Sequence, residues 1–128
     1  MGVLESMSDK KINKLFVYGT LMTKCRHLTF RGTKYIKEAQ IVGTLLNVGS
    51  FPGYITTGDT VIKGELIEFE DGALADLDHY EGFRHDNLSN SLYVRTLTKT
   101  SDGDDCYVYV FNQVRNNPVI QSGDWTKR

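Results

Sequence analysis

Clear helical periodicity is confined to one short stretch of this sequence, and that limits what the chain can fold into. Ala73 to Tyr80 is a helix-compatible run. Asp71 stands before it as a candidate N-cap, followed by Gly72, and Gly82 stands just past its end. Most other apolar residues fall in short runs broken by glycine. Leu15 to Tyr18 reads as a short apolar strand. Ala39 to Val48 reads as a second, with Gly43 marking a bend or bulge. Gly49-Ser50-Phe51-Pro52-Gly53 is a turn cluster. From Val61 to Phe69 the pattern alternates, setting Ile62, Gly64 and Leu66 opposite Lys63, Glu65 and Ile67. Tyr93 to Lys99 also alternates, and the Ser101–Asp105 turn carries it into Cys106 to Phe111 as a hairpin. Lys24 to Lys37 is polar and basic and reads as irregular, with at most one helical turn. Mostly antiparallel strands with one helix mean α+β or a small barrel, and twisted strands with glycine bends favour closure.

With 128 residues, the chain is expected to form a loose tail over residues 1–13 and one domain over 14–128. A net charge of −1 offers no footprint for nucleic acid or an acidic membrane surface. Cys25 and Cys106 lie far apart without metal-ligand spacing and read as free thiols in a reducing compartment, which suits a cytoplasmic location. Met1 to Ser6 fits the bare N-myristoylation pattern, but no basic cluster or second lipid site supports it and Met7 is also a plausible start. His27, His79 and His85 share no helical face and no ligand spacing, so they read as surface residues and no metal is expected. The sequence leaves the oligomeric state open, a monomer included.

Two segments point to chemistry. Phe16-Val17-Tyr18-Gly19-Thr20-Leu21 looks like a buried strand breaking into a tight turn, whose backbone N–H groups suit an anion. Leu77-Asp78-His79-Tyr80-Glu81-Gly82 looks like a helix end with a carboxylate where a leucine would be expected. At about 100° per residue, Glu81 falls within roughly 10° of the mean direction of Leu74 and Leu77. Asp78 falls about 70° away on the same count and is expected to lean towards solvent. The competing reading has the helix fray by Tyr80 and leaves Glu81 solvated. Arg95 either pairs with a carboxylate on a neighbouring strand or touches a ligand. Tyr93, Tyr107 and Tyr109 default to packing, and Trp125 to fastening the C-terminus. The pair of segments suggests an enzyme site with neither a metal nor a covalent nucleophile.

In order and spacing these segments resemble the gamma-glutamylcyclotransferase-like superfamily, of the gamma-glutamylamine cyclotransferase type. The resemblance rests on Tyr18-Gly19-Thr20-Leu21, Phe51-Pro52-Gly53, Leu77-Asp78-x-Tyr80-Glu81, Tyr93-x-Arg95, Tyr107-Val108-Tyr109 and Ser122-Gly123-Asp124-Trp125. It implies a small mixed, mostly antiparallel β-barrel with short flanking helices. It implies closure of a small gamma-glutamyl amide or amine conjugate to 5-oxoproline, with release of the amine and no cofactor. By position, Glu81 is similar to the family's general acid/base. Tyr18, Gly19, Thr20 and Leu21 are similar to the loop that holds the glutamyl head, and Tyr93 and Tyr109 to pocket-lining tyrosines. The alternative is a noncatalytic binding or regulatory module that keeps the same pocket.

Overall fold

A computed structural model describes residues 12–23 and 31–128. The expectations for the tail over 1–11, for Cys25 and His27, and for residues 24–30 of the Lys24–Lys37 stretch lie outside the described residues. The strands are β1 (Lys14–Val17), β2 (Thr33–Asn47), β3 (Pro52–Phe69), β4 (Tyr93–Lys99) and β5 (Asp105–Phe111), with helix α1 (Ala73–Tyr80) between β3 and β4. Among the described residues no helix is long and apolar enough to cross a membrane.

The strand order is β2-β3-β1-β5-β4. β1 lies in the middle, antiparallel to β3 and parallel to β5. A central strand covered on both faces must be apolar throughout, and Leu15, Phe16 and Val17 are all buried. The same burden falls on the part of β3 that pairs with β1. There Glu65, Leu66 and Ile67 are buried in succession, so the alternation expected from the sequence breaks at Glu65.

β2 and β3 form one long hairpin from Thr33↔Phe69 to Asn47↔Pro52. The expected bend at Gly43 is present: Gly43 pairs with Thr60, but Thr44 pairs with Ile55. The residues looped out on β3 turn that strand, and its first part reaches β5 through Tyr54↔Val110. Two boundaries differ from the sequence reading. β2 begins at Thr33, inside the stretch expected to be irregular, because 33–37 finds ladder partners on β3. Pro52 and Gly53 open β3 rather than sitting in the turn.

The architecture is α+β and mostly antiparallel, as expected, but the sheet does not close into a barrel. β2 and β4 remain its outer strands, and β2 is covered in part by the C-terminal segment through Leu46↔Val119. The bend in β3 brings one β3–β5 pairing without joining the two outer strands. Trp125 is buried and fastens the C-terminal turn, with the Arg128 guanidinium 3.7 Å above its ring.

α1 covers the expected run, though its first cap is Gly72 rather than Asp71. Its C-terminus is a Schellman motif. Gly82 takes φ +68° and its N–H donates to His79 O at 3.1 Å, while Phe83 N–H donates to Asp78 O at 2.9 Å. Glu81 is held just inside this motif, its N–H bonded to Leu77 O at 3.0 Å. The frayed alternative therefore does not apply, because the carboxylate leaves a backbone fixed on both sides.

Candidate active site

The loop after β1, the start of β3, the end of α1 and the β4–β5 hairpin enclose a cavity of about 330 Å³. Tyr18, Gly19, Thr20, Leu21, Glu81, Tyr93 and Tyr109, drawn from four segments of the sequence, all line it. Phe16, Val17, Phe51, Pro52 and Leu92 supply much of the apolar wall.

Each segment reaches the cavity for a local reason. β1 ends as Gly19 O accepts from Met22 N–H at 3.0 Å, making a tight turn. The turn lies hard against β3, since a Cβ on Gly19 would come within 2.6 Å of the Pro52 ring. Its far end is tied down by the buried Glu65 carboxylate, which accepts from Thr23 N–H at 2.7 Å and Thr23 Oγ1 at 2.9 Å. Across the mouth, Thr20 Oγ1 and Tyr80 Oη lie 3.2 Å apart, joining the turn to the end of α1.

Glu81 is half-buried in this wall. Loss of solvation raises its carboxyl from 4.5 to about 8. Its charge also opposes ionisation of Tyr18, Tyr93 and Tyr109, whose hydroxyls burial pushes well up. The three tyrosine protons are already placed. Tyr18 Oη donates to Tyr109 O at 2.6 Å and accepts from Tyr54 N–H at 3.1 Å. Tyr93 Oη donates to Pro52 O. Tyr109 Oη donates to Asp78 Oδ1 at 2.6 Å. The Tyr18 hydroxyl thus bonds β5 and β3 together, and that residue contributes ring surface and the start of the turn.

Asp78 departs from the sequence reading: it is buried rather than turned to solvent. It accepts from Tyr109, lies 2.9 Å from His85 Nε2, and pairs with Arg95 Nε at 3.4 Å. Arg95 therefore takes the ion-pair role, although its partner is on the helix rather than a strand, and its guanidinium sits over the Tyr107 ring at 4.6 Å. His85 is exposed as expected but is engaged by Asp78. Helical angles missed Asp78 because its partners come from β4, β5 and the 82–92 loop. A usable signal was its place four residues after Leu74, on the same side of the helix. Of the 82–92 segment, Leu92 lines the cavity. Cys106 is a buried free thiol, pushed up to about 11 by burial. Among the described residues no group of three His, Cys, Asp or Glu could hold a metal ion.

Residues 15–127 match the family described as Gamma-glutamyl cyclotransferase, AIG2-like. A curated Halalkalibacterium halodurans protein, provisionally named gamma-glutamylcyclotransferase BH1612, is 33% identical over 96 residues, covering 70% of this chain and 83% of its own. Two solved structures share the fold. A uropathogenic E. coli-specific protein aligns with a TM-score of 0.72 at 20% identity, covering 92% of this chain and 95% of its own. An AIG2-like protein from Mus musculus aligns at 0.67 and 20% identity, covering 90% of each chain. The ordered motifs, the fold and the match across nearly the whole chain agree: this chain belongs to the gamma-glutamyl cyclotransferase, AIG2-like family.

Proposed function

We propose that the protein converts a small gamma-glutamyl amide or amine conjugate to 5-oxoproline and a free amine, with Glu81 as general acid and base. The observation that carries this reading is a carboxyl raised to about 8 in the wall of a largely apolar cavity. A group titrating near the working pH can both take and return a proton.

The substrate brings its own nucleophile. Its α-nitrogen reaches its own γ-carbonyl carbon through a five-membered ring, so the protein's task is to hold that folded conformer. Glu81 takes a proton from the α-ammonium. The freed nitrogen attacks the γ-carbonyl carbon, forming the ring C–N bond and placing charge on the oxygen. Collapse breaks the bond to the leaving nitrogen, which receives that proton from Glu81, and Glu81 then takes the extra proton of the ring nitrogen and passes it to the released amine. Overall two protons leave the α-nitrogen and two reach the leaving amine, so no external acid, oxidant or cofactor enters the balance. The Gly19–Leu21 turn is the proposed seat of the α-carboxylate. Replacing Gly19 with Val would drive a side chain into Pro52 and weaken substrate binding.

The test is incubation with a panel of gamma-glutamyl amines, gamma-glutamyl amino acids and glutathione, reading 5-oxoproline. Formation from at least one, lost in Glu81→Gln, supports the reading. A wild-type protein that binds panel members and releases none would be the noncatalytic module instead.

A further inference from the structure

We propose that Asp78 is a positioning residue that commits the Tyr109 hydroxyl proton, so that Tyr109 meets the ligand only as a hydrogen-bond acceptor. The consequence is an accepting wall that selects the N–H of the cyclising nitrogen. This inference rests on the reaction proposed above and adds a role for a residue outside the cavity.

A carboxylate paired with a guanidinium can only accept, and a phenol has a single proton to give. Asp78 Oδ1 lies 2.6 Å from Tyr109 Oη and 3.4 Å from Arg95 Nε. The Tyr109 proton therefore points at Asp78, and what Tyr109 has left is lone-pair density. The arrangement is built in. Arg95 is sequestered over Tyr107, and its Nη1 is buried without a hydrogen-bond partner, so its charge needs Asp78. Asp78 itself is held by the α1 terminus, where its carbonyl accepts from Phe83 N–H.

The neighbouring hydroxyls are committed in the same direction. Tyr93 donates to Pro52 O and Tyr18 to Tyr109 O. None of these three protons is left over to meet a carbonyl or carboxylate oxygen of the ligand, and the Tyr80 hydroxyl is shared with Thr20 at the mouth. Around Tyr109 the wall only accepts, which disfavours those oxygens there and favours an N–H donor. In a gamma-glutamyl head group the fitting donor is the α-nitrogen, the atom that must be aimed at the γ-carbonyl.

The test compares two ring compounds binding to the full chain at pH 7 by calorimetry. One is 5-oxoproline. The other is 5-oxotetrahydrofuran-2-carboxylate, which keeps the carboxylate and ring carbonyl but has oxygen in place of the ring N–H. Wild type should prefer the lactam by about tenfold, the worth of one hydrogen bond gained against two lone pairs opposed. Tyr109→Phe should reduce that preference to about twofold or less. Asp78→Ala should reduce it likewise, because the freed Tyr109 proton can then turn to the lactone oxygen. Asp78→Asn keeps an acceptor for Tyr109 and should keep the preference, whereas a purely charge-balancing Asp78 would make Asn no better than Ala. Thermal melts establish which variants fold, and if Asp78→Ala does not, Tyr109→Phe and Asp78→Asn decide. An unchanged preference in Tyr109→Phe, or no preference in wild type, overturns the inference and leaves the proposed reaction standing. Binding of neither compound to wild type overturns both.

Discussion

α1 and its C-terminal cap carry two inward carboxylates about one turn apart, Asp78 and Glu81, and their surroundings are opposite. Asp78 meets a phenol, an imidazole and a guanidinium, all from outside the helix. Glu81 meets an apolar wall and tyrosines whose protons are spent elsewhere. A carboxylate with donors on both oxygens is anchored. One without them is pushed up to about 8 and keeps its proton near neutral pH. An inward position alone thus does not raise a carboxyl. What raises it is burial without partners, beside a carboxylate that has taken the available donors.

Substitutions test that contrast. The largest expected effect is Glu81→Gln, predicted to lower 5-oxoproline formation by roughly 10²–10⁴-fold while the chain stays folded, because an amide cannot carry the proton. Near-normal turnover would remove Glu81 from the chemistry. Asp78→Ala is predicted to act mainly on the fold. It strands Arg95 and the Tyr109 hydroxyl in a buried setting, at a cost of about 3–5 kcal/mol in urea unfolding. Loss below about 1 kcal/mol would mean that Asp78 anchors nothing.

A smaller effect is expected at Gly82, whose φ of +68° an alanine adopts only with strain. Gly82→Ala is predicted to cost roughly 1 kcal/mol or more and to lower turnover by shifting Glu81, read by parallel melts and rates. An unchanged melt and rate would show that the Schellman motif is not what sets the carboxylate. The smallest effect concerns stability against pH. The Glu81 pKa is raised on folding, so its contribution to stability is full below its ordinary value and is lost as pH rises through about 8. Glu81→Gln should therefore melt close to wild type at pH 4 and above it at pH 7. The same melting difference at both pH values would place the titration elsewhere.

Much of this was legible in the sequence because it is local. The Ala73–Tyr80 run, the glycine stop at Gly82 and the inward direction of Glu81 follow from helical spacing. The 93–111 hairpin follows from alternation around a turn. What spacing could not give depends on partners distant in the chain. Asp78 turns inward because Arg95, Tyr109 and His85 are there to receive it. Glu65 is buried because Thr23, beyond the Gly19 turn, donates to it twice. β2 begins at Thr33 because a matching length of β3 lies beside it. The sheet stays open because β2 and β4 end as outer strands, a matter of strand order rather than of strand sequence.

The most direct test is a site-resolved titration of the Glu81 carboxyl by carbon NMR, assigned by its absence in Glu81→Gln. The account predicts a midpoint near 8, with the acid limb of 5-oxoproline formation following the same curve. A midpoint near 4.5, with formation indifferent to pH above it, would contradict the account.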